Sequence, residues 1–254
     1  MAEKVHLKVE ETVSQLSGLK ELGRITEEDM ARIVSSREEF EYKIYRREKK
    51  KIDFLRYISS EISHEFCFHK TISQTKTRFL FQKNIHRLFR MALTHFPDDL
   101  DLWLEYVKFS RLSHSNTQLV RIFQDMLRLF PYNSDVFVLA ASWEYDTNGS
   151  IESARQILNS GLRTLPASLQ LWREFFRLEC LLAVQVSKRK SERNIEAGKT
   201  DYSVALVVLE NAAEHHRARK SEFLDVSVLF PENEELVGAV EAWFGECCQA
   251  QCSK

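Results

Sequence analysis

The sequence predicts an all-α protein, an α-solenoid of right-handed type built from repeated helix pairs. Trp103, Phe137 and Trp172 stand 34 and 35 residues apart, and Pro97, Pro131 and Pro166 keep the same two steps. Two unrelated landmarks on one period near 34 describe a helix–turn–helix repeat. Composition points the same way. Seven glycines and four prolines in 254 residues suit long helices with short connections and poorly serve a turn-rich β protein.

The elements follow in order. Leu7, Val9, Val13, Leu16 and Leu19 keep roughly helical spacing, giving a first helix that Gly23 ends. Thr26-Glu-Glu-Asp29 starts the next, with Thr26 as N-cap and carboxylates at the positive end of the helix dipole. Arg37 to Ile62 then reads as one long helix, with Phe40, Ile44, Phe54, Tyr57, Ile58 and Ile62 among its apolar positions. From residue 54 the repeats begin. Their first helices carry an aromatic residue and partners at +3 and +7, offsets that share one helical face. The instances are Phe54, Tyr57, Glu61; Trp103, Tyr106, Ser110; Phe137, Ala140, Glu144 with Trp143 at +6; and Trp172, Phe175, Glu179.

The second helices align backwards from the prolines, which end each helix by removing a donor and clashing with the preceding turn. Five residues before each proline come Ala92, Met126 and Gly161, and the two small residues allow close helix approach. Asp98-Asp99, Asn133-Ser134 and Ser168 offer N-caps to the helices that follow. Phe54 to Trp103 is 49 residues, about 15 more than one repeat. That surplus falls in Cys67 to Gln82, read as a longer loop or extended helices. Residues 1–52 are thus an N-terminal helical extension and 53–180 the repeats. Residues 181–200 form a charged linker, and 201–254 hold C-terminal helices (Tyr202–His216, Phe223–Phe230, Glu232–Ala250) with a divergent tail.

The chain is 44% hydrophobic and 29% charged, enough for a sizeable core and too hydrophobic for general disorder. A net charge of −1 lacks the basic excess of a dedicated nucleic-acid domain, so any RNA contact must come from a local patch. Charges interrupt each apolar stretch of the N-terminus, so no secretory signal is expected, and no apolar run approaches bilayer length. Five cysteines, Cys67, Cys180, Cys247, Cys248 and Cys252, follow no framework spacing and suit a reducing compartment.

No glycine-rich phosphate loop, His-Glu-x-x-His helix, Gly-x-Ser-x-Gly elbow or Cys-x-x-Cys pair occurs. His64, Cys67 and His69 gather three metal-ligand types, but their spacing fits no structural zinc site, so no metal or cofactor is expected. Glu61, Glu144 and Glu179 recur once per repeat, a structural pattern rather than a catalytic one. Each is expected to bond a neighbouring helix or to edge the apolar seam. No catalytic residue is assigned, and an enzyme is not expected. Trp103 and Trp172 are expected to pack between helices. The segment Lys43–Arg56 sets Lys43, Arg46, Arg47, Lys49, Lys50, Lys51 and Arg56 against Glu48 and Asp53. It fits RNA phosphates, a nuclear-import signal, an acidic partner, or a solvated face. Lys188, Arg189, Lys190 and Arg193 form a second basic run within the linker.

The pattern aromatic-x-x-aromatic-x-x-x-Glu, followed by a helix ending in proline, resembles the half-a-tetratricopeptide (HAT) repeat of RNA-processing scaffolds. Phe40-Glu-Tyr-Lys-Ile-Tyr-Arg-Arg47, Asp53-Phe-Leu-Arg-Tyr57, Asp101-Leu-Trp-Leu-Glu-Tyr-Val107 and Glu152-Ser-Ala-Arg155 resemble the U3 small nucleolar RNA-associated protein 6 family. The likeness covers residues 1–180 well and 200–230 weakly, and the chain looks like a shortened form whose Gly245–Lys254 tail has no counterpart. The resemblance implies a non-catalytic nucleolar scaffold of the small-subunit processome, needed for 18S rRNA maturation. It also implies a place in the UTP-B subcomplex among β-propeller subunits, with U3 snoRNA and pre-ribosomal RNA contacted indirectly and no membrane involved. A HAT scaffold in pre-mRNA splicing or 3′-end processing, and a direct RNA-binding module footed on residues 43–56, stand as alternatives.

Overall fold

The computed structural model describes residues 2–21, 25–69, 75–192 and 200–215, together with Leu236, Gly238, Val240 and Ala242. Among the described residues the structure is all helical, with no β-strand. The chain divides into two units, residues 1–122 and 123–254.

In the first unit, α1 (Ala2–Glu21) packs on α2 (Glu27–Ile44), α2 on α3 (Lys51–His69), α3 on α4 (Thr75–His95), and α4 on α5 (Leu100–Leu112). Thr26 caps α2 as expected, its hydroxyl accepting from the Asp29 N–H at 3.1 Å. The buried face of α1 only partly follows its named apolar residues. Val5, Thr12, Leu16 and Leu19 are buried, whereas Leu7 is 61% and Val13 37% exposed. Thr12 qualifies because its hydroxyl donates to the Lys8 carbonyl at 2.9 Å, returning its polar atom to the helix itself.

The single long helix expected over Arg37–Ile62 is two helices. α2 ends at Ile44 and α3 begins at Lys51, with a turn over residues 45–50. The reversal lets the α2 face of Ile33, Arg37, Glu41 and Ile44 pack against α3, a gain that a straight helix would forgo. Lys49 Nζ donates to the Ile44 carbonyl, covering an orphan acceptor at the helix end. The surplus after Cys67 is the extended-helix alternative: α3 continues to His69 and α4 starts at Thr75. Ile62, assigned to the apolar face, is 39% exposed.

In the second unit, α7 (Ser134–Asp146) packs on α8 (Ile151–Thr164), and both pack on α9 (Leu169–Glu192), which in turn meets α10 (Ser203–His215). α6 (Asn116–Leu129) runs across the boundary between the units. The core of this unit joins Phe137, Leu158, Leu171, Phe176 and Leu209 with Leu236 and Val240. α9 extends to Glu192, so residues 181–192 of the expected linker are helical. Thr200 and Asp201 precede α10, which matches the helix expected from Tyr202. Of the last expected segments, Leu236 and Val240 are buried, while Phe223–Phe230, Trp243, Phe244 and Cys247 lie outside the described residues.

The proline landmarks stop helices at one fixed distance. α4 ends at His95, α6 at Leu129 and α8 at Thr164, each two residues before its proline. Asp99 and Asn133 cap the helices that follow, accepting from Leu102 N–H at 3.2 Å and Asp135 N–H at 3.0 Å.

Candidate functional site

The repeat positions assemble into the core. Phe54, Tyr57 and Glu61 are at most 1% exposed, and Trp103, Tyr106, Phe137, Trp143 and Trp172 are all buried. Phe175 is half-buried. Phe89 stacks on Tyr106 with ring centroids 4.7 Å apart, and Phe40 stacks on Tyr57 at 5.1 Å. The tryptophan and proline landmarks meet in one hydrogen bond. Trp103 Nε1 donates to the Pro97 carbonyl at 2.8 Å, and Trp172 Nε1 to the Pro166 carbonyl at 3.0 Å. Phe137 has no ring N–H, so Pro131 receives no such bond from the third instance.

The recurring glutamates divide into two kinds. Glu61 takes a two-pronged ion pair from Arg37 on the preceding helix, and Glu179 takes the same from Arg155. Glu144 is instead half-buried at the end of α7, where Asn148 Nδ2 donates to it at 2.9 Å. Ser110 holds the corresponding place on α5, fully buried. The arginines of these pairs are the residues that the sequence did not reveal. Arg37 sits 24 residues before Glu61 and Arg155 sits 24 before Glu179. That equal interval is the signal that would have found them.

Around the first pair the network continues. The Tyr57 hydroxyl donates to Glu41 Oε1 at 2.9 Å, and Arg87 Nη2 donates to the same oxygen. Burial, reinforced by the negative charges of Glu41 and Glu61, holds the Tyr57 hydroxyl protonated far above its usual range. His86 lies buried nearby on α4, with ring nitrogens 3.2 Å from the Tyr106 hydroxyl and 3.2 Å from Ser115 Oγ. Burial, assisted by the Arg90 charge, pushes its pKa down to about 4.

The basic segment is less uniform than its sequence. Lys43 pairs with Glu39 and lies over the Phe40 ring, Lys49 spends its ammonium on the Ile44 carbonyl, and Lys51 pairs with Asp99. The Lys51 ammonium, helped by the Leu102 N–H, holds the Asp99 carboxyl below its usual range against the opposing effect of burial. Arg46, Arg47, Lys50 and Arg56 stay exposed and form no ion pair among the described residues. Three exposed cations therefore stand at this turn and a fourth, Arg56, early in α3. His64 is half-buried, with burial lowering its pKa, and Cys67 is exposed, while the His69 side chain lies outside the described residues.

Helix pairs stopped at a fixed distance by proline, with arginine–glutamate clamps at a fixed interval, define an all-helical repeat protein. The model of the U3 small nucleolar RNA-associated protein 6 family matches residues 9–94, the stretch that contains both partners of the Arg37–Glu61 pair. The chain is 31% identical over 217 residues to the human U3 small nucleolar RNA-associated protein 6 homolog, covering 80% of this chain and 36% of that protein. The mouse homolog is 30% identical over 76% of this chain and 33% of its own length. The Schizosaccharomyces pombe protein is 30% identical over 70% of this chain and 38% of its own. The chain belongs to the U3 small nucleolar RNA-associated protein 6 family. It spans about a third of the length of these relatives.

Proposed function

We propose that this protein acts in ribosome biogenesis as a non-catalytic helical scaffold of the nucleolar U3 small nucleolar ribonucleoprotein, supporting 18S rRNA maturation. The observation that carries the reading is the likeness to the human and Schizosaccharomyces pombe proteins, both named for association with U3 small nucleolar RNA. The structure adds a physical argument for a scaffold. Its polar chemistry is spent inside: Arg37 on Glu61, Arg155 on Glu179, Tyr57 and Arg87 on Glu41. Such pairs fix one helix against the next and leave the outer faces for partners. The finer reading places the chain in a UTP-B-type subcomplex, against β-propeller subunits, in the nucleolus.

Depletion tests it: mature 18S rRNA falls while large-subunit rRNA is spared, and normal 18S output after complete loss refutes the reading. A scaffold in pre-mRNA splicing is the second possibility that HAT-like repeats allow. RNA recovered with the protein from nuclei separates the two, U3 small nucleolar RNA supporting the first and spliceosomal RNAs the second.

A further inference from the structure

The fold sorts the seven cations of residues 43–56 into two groups. Lys43, Lys49 and Lys51 are engaged internally, by Glu39, the Ile44 carbonyl and Asp99. Arg46, Arg47, Lys50 and Arg56 are exposed and engage no carboxylate among the described residues. Glu48 is exposed beside them, so four cations less one carboxylate leave an excess of three positive charges. The chain keeps this group close. Arg46 to Lys50 spans at most about 15 Å of backbone, and Arg56 lies about 8 Å of helix beyond Lys51.

The aromatic residues of the same stretch are sorted independently. Phe40 stacks on Tyr57 and lies under the Lys43 ammonium. The Lys49 ammonium covers the Tyr45 ring, 5.7 Å from its centroid. Tyr42 is 42% exposed and makes no ring, ionic or hydrogen-bond contact among the described residues. It precedes Arg46 by four residues, about one helical turn, so an open ring borders the unengaged cations.

Charge and rings thus leave one surface. An acidic peptide would use the cations and leave the ring idle. A linear import signal needs consecutive basic residues, and the fold withdraws Lys49 and Lys51 from that run. A single-stranded nucleic acid uses both features, with phosphates on the cations and an unpaired base on the ring.

We propose that the turn between α2 and α3 binds a single-stranded nucleic acid. Arg46, Arg47, Lys50 and Arg56 hold its phosphates, and one base stacks on Tyr42. The contact goes beyond the scaffold role, which requires no nucleic acid on this chain. Assigning the strand as RNA rests on the function proposed above, whereas the contact itself rests on the turn alone. The binding is indifferent to sequence, because phosphate contacts and stacking carry it.

The purified full chain is titrated by fluorescence anisotropy with oligouridine of roughly 12 nucleotides, in salt from about 50 to 200 mM. Four phosphate contacts on a single strand give a slope of log affinity against log salt of about −3. Arg46→Ala/Lys50→Ala weakens binding about tenfold and halves that slope. Lys43→Ala/Lys49→Ala removes as much charge and weakens binding less than about threefold. Tyr42→Ala weakens it about fivefold or more, and Tyr42→Phe retains the affinity. All variants are compared at an unchanged far-UV circular dichroism spectrum. Absence of binding by the wild-type chain overturns the proposal. So do equal losses from the two double variants, an unchanged affinity in Tyr42→Ala, or tighter binding of polyglutamate than of oligouridine. Ultraviolet crosslinking in nuclei identifies the strand: RNA on the peptide carrying Tyr42 is expected, and DNA there overturns the assignment. Failure on any of these leaves the depletion phenotype untouched, because that is read from cellular rRNA.

Discussion

Arg37 and Glu61 form a two-pronged ion pair inside the core, Nε to Oε1 and Nη2 to Oε2 each at 2.7 Å, with side-chain exposures of 6% and 1%. Removing either partner leaves a desolvated charge with nothing to answer it. Glu61→Ala is expected to cost about 3–5 kcal/mol in urea unfolding, whereas Arg37→Met/Glu61→Leu together recover most of that loss. A double variant no more stable than the single one would show that the pair is needed for more than charge balance.

The equivalent pair, Arg155 with Glu179, has its arginine side chain 30% exposed. Water reaches the stranded guanidinium there, so Glu179→Ala is expected to cost less, about 1–3 kcal/mol. Comparing the two variants under one protocol tests whether burial, rather than the identical geometry, sets the energy.

Trp103 is both a core ring and a donor to the Pro97 carbonyl. Trp103→Ala is expected to cost about 3–5 kcal/mol, and Trp103→Phe much less, with about 1 kcal/mol assignable to the lost hydrogen bond. Trp172→Phe should follow the same rule because it makes the same bond to Pro166.

Gly161 lets α8 approach its neighbours. A β-carbon there would lie 3.0 Å from Phe137 Cγ and 3.2 Å from Leu171 Cδ1. Gly161→Val is expected to destabilise by about 1–3 kcal/mol through overpacking, visible as a lower denaturation midpoint. Gly18, with nothing within 4 Å of an added β-carbon, should accept the same change at far smaller cost.

His86 couples stability to acid. Folded, it resists protonation down to about pH 4, while in the unfolded chain it titrates near the ordinary value of about 6.5. Between those values the unfolded chain binds the extra proton. Stability contributed by this residue is therefore present above about pH 6.5 and is lost as pH falls toward 4. The urea midpoint should fall from pH 7 to pH 5, and His86→Gln should flatten that slope. An unaltered slope in the variant would assign the effect to other groups.

The sequence by itself carried much of the architecture. A doubled period near 34 was enough for helix pairs, their proline stops and the burial of Trp103, Phe137 and Trp172, because propensity, capping and periodicity are local. It traced the α1 face only in part, since Leu16 and Leu19 are buried but Thr12, bonding to its own helix, lies there in place of Leu7 and Val13, and it missed the α2–α3 turn, where no glycine or proline marks the break. At Arg37 and Glu41 the pattern is misleading outright, since two charged residues occupy core positions on α2. Their burial is tolerable only because Glu61, Tyr57 and Arg87 arrive from other helices, and partners so distant in the chain leave no local trace. The basic run at residues 43–56 was legible as composition. Which of its charges remain available depends on Glu39, the Ile44 carbonyl and Asp99. Local chemistry determines where helices begin and end. Only packing decides which charges are neutralised inside and which are left for a partner, because neutralisation needs two groups that the chain brings together only on folding.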